Sequence, residues 1–374
     1  MENYIDRHND SQKSFKTIFA YILKKGKTTR REIQNDTNYS WSSVSSVVSV
    51  LLNQGLVYEA ESSKGKVGRG TSFIVPNGNK YVSIGVDINS TVFSLEVVGI
   101  DGSRKYEEKF SYDKKSKAYL LEKLYQAIDS GLAFSKGKYK VISIGVSCQG
   151  HVLNHSTFEY FPFCEDELRN LNIKELLESK YYIYTFVEHD TKCIMEDYKT
   201  NIDQSDKSVC VCRVVSGIGF AIYLNGQPLE DNIGPVDFGH IIVQPDGALC
   251  RCGQKGCLEA YASTTGLTKR AGLTDFSIIQ NNRDKYRNLL NDAGYYLGIT
   301  AANLRRIFDV DSIVFTGIVI ENDDEMMRIV KETCMQYVYG AKTQIKYIKD
   351  LSAAYGAARL AFMEKNIIGG TFND

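Results

Sequence analysis

The chain has 374 residues, 43% of them apolar and 24% charged, and its 45 Lys and Arg balance 45 Asp and Glu. This is the composition of a globular protein long enough for two or three domains, and zero formal charge excludes a uniformly basic nucleic-acid coat or an acidic solvating tail. No apolar run approaches the ~18 residues of a membrane span, residues 1–10 carry no secretory pattern, and nine cysteines, an odd number, suit a reducing cytoplasm better than a disulfide framework.

Residues 1–78 hold eleven Lys and Arg against seven Asp and Glu, a net of +4 that leaves −4 on the remainder. Residues 11–25 read as a helix, with Phe15, Ile18, Phe19, Ile22 and Leu23 on one face and Gly26 as its stop. Thr29-Arg30-Arg31-Glu32 fits a capping box that opens a second, short helix. After turn chemistry at Asp36-Thr37-Asn38, Ser40 caps a third helix that runs to about Asn53. Its apolar stripe is Val44, Val47, Val48, Leu51 and Leu52, which leaves Ser42, Ser43, Ser45, Ser46 and Ser49 on other faces. Strands over 56–59 and 71–75 follow, joined by a turn carrying Lys64, Lys66 and Arg69. Three helices and a basic hairpin are the parts of a winged helix-turn-helix (α+β). Short hydroxyl side chains let the third helix approach a major groove, and the three cations can meet phosphates or a minor groove. A small helical protein-binding domain is the alternative use of the same parts.

Residues 79–374 repeat one pattern. A strand over 81–87 ends in Ile88-Asn89-Ser90-Thr91, resumes over 92–100 and turns at Asp101-Gly102. A strand over 208–215 ends in Ser216-Gly217-Ile218-Gly219, resumes over 220–224 and turns at Asn225-Gly226. Each pair is followed by a strand ending in glycine, over 141–150 and 312–317. Such a duplication predicts two similar lobes, and tight turns at strand ends are where phosphates or sugars bind.

The most specific chemical signal is His240 followed by Cys250, Cys252 and Cys257. Three thiolates and an imidazole complete a tetrahedral zinc set with no position left for water, so the predicted zinc is structural. The alternative is four unrelated residues in a loop.

At this point the sequence resembles the ROK family of bacterial repressors and sugar kinases. The spacing His-x9-Cys-x-Cys-x4-Cys is similar to the family's zinc motif, and an N-terminal winged helix with Gly68-Arg69 in its wing is similar to the repressor branch. The resemblance implies an α/β actin-like ATPase (ribonuclease H-like) domain in two lobes over 79–374. They would divide as 79–190 and 191–374, with the last helix packing back on the first lobe. It also implies sugar-site residues: Asp190 of Glu188-His189-Asp190 at the kinases' general-base position, His189 beside it, Asp237 in place of a glutamate, His240 and Glu259. An N-cap role for Asp190 and a solvated helix position for Glu259 are the plain alternatives. The family's sugar-binding asparagine aligns with Tyr160.

The nucleotide loops depart from the kinases. Asp87-Ile88-Asn89-Ser90-Thr91 lacks both glycines of the first loop. Val215-Ser216-Gly217-Ile218-Gly219-Phe220-Ala221 places Phe220 where the second has glycine, and Thr316-Gly317 replaces a Gly-Gly pair. Phosphoryl transfer depends on positioning and charge neutralisation, so vestigial loops at Asp87, Thr91, Ser216, Gly217, Gly219 and Gly317 argue against efficient ATP use. The expected function is a sugar-responsive DNA-binding regulator, a repressor of carbohydrate genes and not an enzyme. It would take an operator and a sugar or sugar phosphate in an interlobe cleft, as a homodimer or larger assembly in the cytoplasm. An ATP-dependent hexose kinase with an appended DNA-binding module is the alternative, and Asp190 is its best support.

Overall fold

The computed structural model describes residues 2–61, 72–89, 92–111, 116–160, 169–203, 205–229, 238–338 and 343–368. The chain forms two compact units, Met1–His189 with Ala353–Asp374, and Asp190–Ser352. Among the described residues no helix is long and apolar enough to cross a membrane.

The first unit opens with α1 (Glu2–Lys25), longer than the periodicity over 11–25 predicts because residues 2–10 contain no glycine or proline to stop a helix. In α2 (Arg30–Thr37) the Thr29 amide donates to Glu32 Oε2 at 2.8 Å while Thr29 Oγ1 accepts from the Glu32 amide at 3.2 Å, the predicted capping box. Asn38, at φ 59°, ends it. Ser40 Oγ then accepts the Ser43 amide at 3.1 Å and starts α3 (Trp41–Asn53), which buries Val44, Val47, Val48 and Leu51. Strands β1 (Val57–Glu61) and β2 (Ser72–Pro76) pair antiparallel. Their buried Val57 and Ile74 join the apolar faces of the helices.

The five-stranded sheet that follows contains β3 (Tyr81–Ile88), β4 (Val92–Gly99), β5 (Arg104–Ser111), β6 (Lys140–Cys148) and β10 (Tyr184–His189) in the order β10-β6-β3-β4-β5. Helix α4 (Lys117–Ser135) covers one face, burying Leu120, Leu124 and Ile128 against it. Between β6 and β10 lie β7 (His151–Leu153), β8 (Thr157–Tyr160), β9 (Leu171–Asn172) and α5 (Ile173–Tyr181). The tyrosine run there looks like the start of a strand over 181–187. Instead the helix capped by Asn172 continues through Tyr181 and Tyr182 ends it at φ 56°, so β10 begins at Tyr184. Helix burial of Ile173 and Leu177 overrides the strand propensity of the aromatics.

The second unit contains α6 (Asp190–Asn201), β11 (Val209–Val214), β12 (Ile218–Leu224), β13 (Gln227–Pro228), a 3₁₀ turn at Phe238–His240, α7 (Leu258–Ala262), α8 (Thr264–Ala271), α9 (Phe276–Gln280), α10 (Arg287–Phe308), β14 (Ser312–Thr316), α11 (Asp324–Tyr337) and β15 (Gln344–Tyr347). Its sheet has the order β13-β12-β11-β14-β15. In each unit two antiparallel pairings lie on one side of the first strand and two parallel pairings on the other. The repeat seen in the sequence is therefore a repeat of topology.

The last helix, α12 (Ala353–Ile368), returns to the first unit. Its main chain lies directly on the sheet: a Cβ at Gly85 would stand 1.9 Å from the Ala354 carbonyl, and one at Gly145 2.0 Å from that of Ala357. Farther along, Phe362 meets Phe19 of α1 edge to face at 5.9 Å. One apolar core thus runs from α1, α2 and α3 through Tyr81, Ile100 and Ile142 to Phe362.

Candidate functional site

His240, at the end of the 3₁₀ turn, and Cys250, Cys252 and Cys257 bring their ligand atoms within 4.8 Å of one another. Cys250 Sγ lies 3.4 Å from His240 Nδ1, and Cys252 Sγ 3.7 Å from Cys257 Sγ. A tetrahedron with metal–sulfur bonds of about 2.3 Å and a metal–nitrogen bond of about 2.0 Å has edges of about 3.5 to 3.8 Å. These two separations are close to such edges, the full spread of 4.8 Å is wider, and three sulfurs with an imidazole are a donor set that could hold a metal ion. Burial, the Cys252 hydrogen bond and the neighbouring sulfurs push the Cys257 thiol up to about 12, and burial raises Cys250. Without a cation these thiols hold their protons, and a bound cation takes them as thiolates. The loop closes through main-chain bonds, Gly256 N–H to the Ala248 carbonyl and Cys250 N–H to that of Gln254, with Gly253 and Gly256 at positive φ.

Cys257 is also the N-cap of α7, so the cluster fixes where that helix begins and hence where Glu259 stands. Glu259 is buried. Arg251 Nε donates to its Oε1 at 2.7 Å and Arg251 Nη2 approaches Oε2 at 3.3 Å. Oε2 also accepts the Ile218 amide at 3.2 Å. The Ser216-Gly217-Ile218 turn is therefore closed by a carboxylate and a guanidinium. A Cβ on Gly217 would stand 2.8 Å from Glu259 Oε2 and 2.9 Å from Arg251 Nη2. Thr265 Oγ1 donates to the Ser216 carbonyl and the Thr264 amide to that of Val215, so α8 holds the same turn from behind. The Ile218 amide is thus occupied by a carboxylate whose charge the Arg251 guanidinium balances.

Asp190 is the first residue of α6 and is buried. Its Oδ2 accepts from Arg213 Nη1 at 2.6 Å, and Arg213 is itself largely covered. A carboxylate engaged in this way is a poor acceptor for a sugar hydroxyl proton until the arginine moves. His189, half-buried, is the last residue of β10, and its amide donates to Glu188 Oε1. Asp87, buried near the end of β3, accepts from Ser147 Oγ at 2.7 Å, so in the first unit this carboxylate is bound to the neighbouring strand β6. Gly219 lies in β12, opposite Arg213, and Gly317 follows β14 at φ 110°.

Ser42 and Ser46 are exposed and Ser43 and Ser45 half-buried on α3. Lys64, Lys66, Arg69, Thr91 and Asp237 lie outside the described residues. The structure thus brings together His240, Cys250, Cys252, Cys257, Glu259, Ser216 and Gly217. Asp190 stands with Arg213 on the strand that leads into the same turn.

The sequence model of the ROK family matches residues 83–364. The chain belongs to the ROK family. It is 22% identical over 338 residues to the xylose repressor of Bacillus subtilis (strain 168), covering 87% of each chain. It is 24% identical over 380 residues to the DNA-binding transcriptional dual regulator NagC of Escherichia coli (strain K12), covering 94% of this chain and 92% of that one. The crystal structure of a ROK family transcriptional regulator, a homologue of the E. coli MLC protein, superposes with a TM-score of 0.79 at 18% identity over 96% of both chains. That of a ROK glucokinase from Streptomyces griseus, in complex with glucose and AMPPNP, gives 0.65 at 21% identity over 75% of this chain and 99% of that one. The architecture is the actin-like ATPase fold of ROK regulators and sugar kinases, preceded by an N-terminal helical region.

Two residues of this ROK chain escaped the sequence reading. Arg213 is the one charged residue of the strand Val209–Val214, a visible signal in an otherwise apolar run. Arg251 sits between two cysteines of the metal cluster, so its backbone is anchored and its side chain is aimed by theirs.

Proposed function

We propose that this chain is a sugar-responsive, DNA-binding transcriptional regulator, a repressor of carbohydrate-metabolism genes. The observation that carries the reading is the pair α2 and α3: two capped helices joined by a three-residue turn, the second without a single acidic residue, ahead of a ROK domain. In this reading residues 1–78 form a winged helix-turn-helix. Its third helix enters the major groove with Ser42, Ser43, Ser45 and Ser46, while Lys64, Lys66 and Arg69 meet phosphates. Relatives named xylose repressor and N-acetylglucosamine repressor support it, since the similarity runs through the N-terminal region as well as the ROK domain.

The sugar or sugar phosphate would be held by Asp190, His240 and Glu259, with Asp237 and His189 adjoining. Zinc is the ion that three thiolates and an imidazole select. When bound it supplies structure only, fixing the start of α7 and the carboxylate of Glu259. Arg213 on Asp190 and Glu259 on the Ile218 amide favour a binding protein over a kinase. A symmetric homodimer on a palindromic operator, in the cytoplasm, completes the proposal.

A gel-shift titration on the DNA upstream of the protein's own gene, with excess unrelated DNA and a panel of free and phosphorylated sugars, tests it. One sugar should abolish or strengthen a specific complex. Absence of any specific complex, together with ATP hydrolysis that depends on one sugar, would replace this reading with the kinase.

A further inference from the structure

Trp41 is the only tryptophan of the chain, and as the first residue of α3 it leaves 52% of its surface exposed. An indole is among the side chains that gain most from burial, and on the outside of a small helical module it gains little. Its setting is fixed. The Ser40 hydroxyl accepts the Ser43 amide and lies 2.8 Å from that of Ser42 and 2.9 Å from that of Ser43, so the first turn of α3 is locked by four hydrogen-bonding groups.

At about 100° per residue the outward stripe of α3 is Ser42, Ser46, Ser49 and Asn53, all exposed. Trp41 stands about 100° round the helix from Ser42, next to Ser45 and near the direction of the buried Val48, and as the first residue of α3 it remains 52% exposed at the flank of that stripe. The stripe holds hydroxyls and one amide, and α3 carries no carboxylate and no cation. A phosphate-lined groove accepts such a surface without charge repulsion. The first turn of a groove-reading helix is the part that reaches base edges. Serines at those positions hydrogen-bond to any base and discriminate weakly. The indole alone among them is large, rigid and apolar, and the apolar group in a major groove is the thymine C5-methyl.

Resting on the regulator reading above, we propose that Trp41 is a specificity-determining residue that packs its indole against a thymine methyl in the major groove of the operator. Ser42, Ser46 and Ser49 then set the depth of α3, and Trp41 selects the base.

The test uses the full-length protein and a duplex selected from random sequence by repeated binding. Each thymine of the selected site is replaced in turn by uracil, which removes the methyl and nothing else. One such replacement should weaken wild-type binding about fourfold, the worth of one buried methyl. The same duplex should quench Trp41 emission. Trp41→Ala should bind the thymine and uracil duplexes equally and lose about tenfold on the selected site. Wild-type binding indifferent to every uracil, with Trp41 emission unchanged by the specific duplex, would overturn the role of Trp41 and leave DNA recognition standing. Selection that enriches no sequence would overturn the regulator reading and this proposal with it.

Discussion

Replacing Phe362 with alanine tests whether the N-terminal helices and the ROK domain share one core. Phe362 is 1% exposed, and its ring meets Phe19 at 5.9 Å and 87°. The cluster around it includes Ile18, Ile22, Val44 and Leu51 from α1 and α3. Emptying such a site costs about 3–5 kcal/mol, of which the edge-to-face pair accounts for about 1. Trp41 reports on α3 alone, because the chain has no other tryptophan. Urea unfolding followed by Trp41 emission should therefore shift to a lower midpoint by about 1–2.5 M, at slopes of about 2–3 kcal/mol per molar. Phe19→Ala should produce a shift of similar size. The double variant should fall short of the sum by about 1 kcal/mol, since both changes delete the same contact. An unchanged Trp41 midpoint in Phe362→Ala would refute the reasoning, because it would mean that α3 folds without help from α12.

Further outcomes follow from other sites. Cys257→Ser should reduce bound zinc from one per chain to none by elemental analysis and expose the 240–257 loop to protease; a full complement of zinc would remove the proposed ligand set. Glu259→Gln should abolish the sugar response measured by calorimetry, since the buried carboxylate is both the proposed sugar ligand and the partner of Arg251 and the Ile218 amide; an unaltered sugar affinity would place the sugar elsewhere. Asp323→Ala should cost about 3–5 kcal/mol, because Arg283 and Arg287 are left without the carboxylate that also caps α11. Burial alone would raise the Asp323 carboxyl, but the Met326 amide, Arg287 and Arg283 outweigh it and hold it below its ordinary 3.8. Its stabilisation is therefore complete above the unfolded value and lost as pH falls through the lower native one. Chemical denaturation at pH 7 and below pH 4 should show the gap between wild type and variant closing in acid, and a gap independent of pH would count against the ion pairs.

Much of this was legible in the sequence because the signals are local. The Thr29–Glu32 box, the Ser40 cap and the His240–Cys257 spacing each depend on residues close in the chain, and local chemistry fixes their geometry. The repeat of strand, turn and strand was readable because two lobes of one topology must carry two copies of one pattern. The start of β10 was not, because helix propagation through Tyr181 depends on what Leu177 buries. Nor was the pairing of Arg213 with Asp190 or of Arg251 with Glu259, since each joins side chains on different elements. The ion pairs change the chemistry of these positions: the carboxylates of Asp190 and Glu259 are each engaged by an arginine.

The central claim is that sugar and DNA bind one chain and each alters the affinity for the other. It is tested most directly by titrating the effector sugar, in a calorimeter, into the free protein and into its operator complex. Linkage requires the two sugar affinities to differ by the same factor by which saturating sugar changes operator affinity. A hundredfold factor corresponds to about 2.7 kcal/mol of coupling. The account predicts matching factors well away from one. Equal sugar affinity in the presence and absence of operator DNA would contradict it.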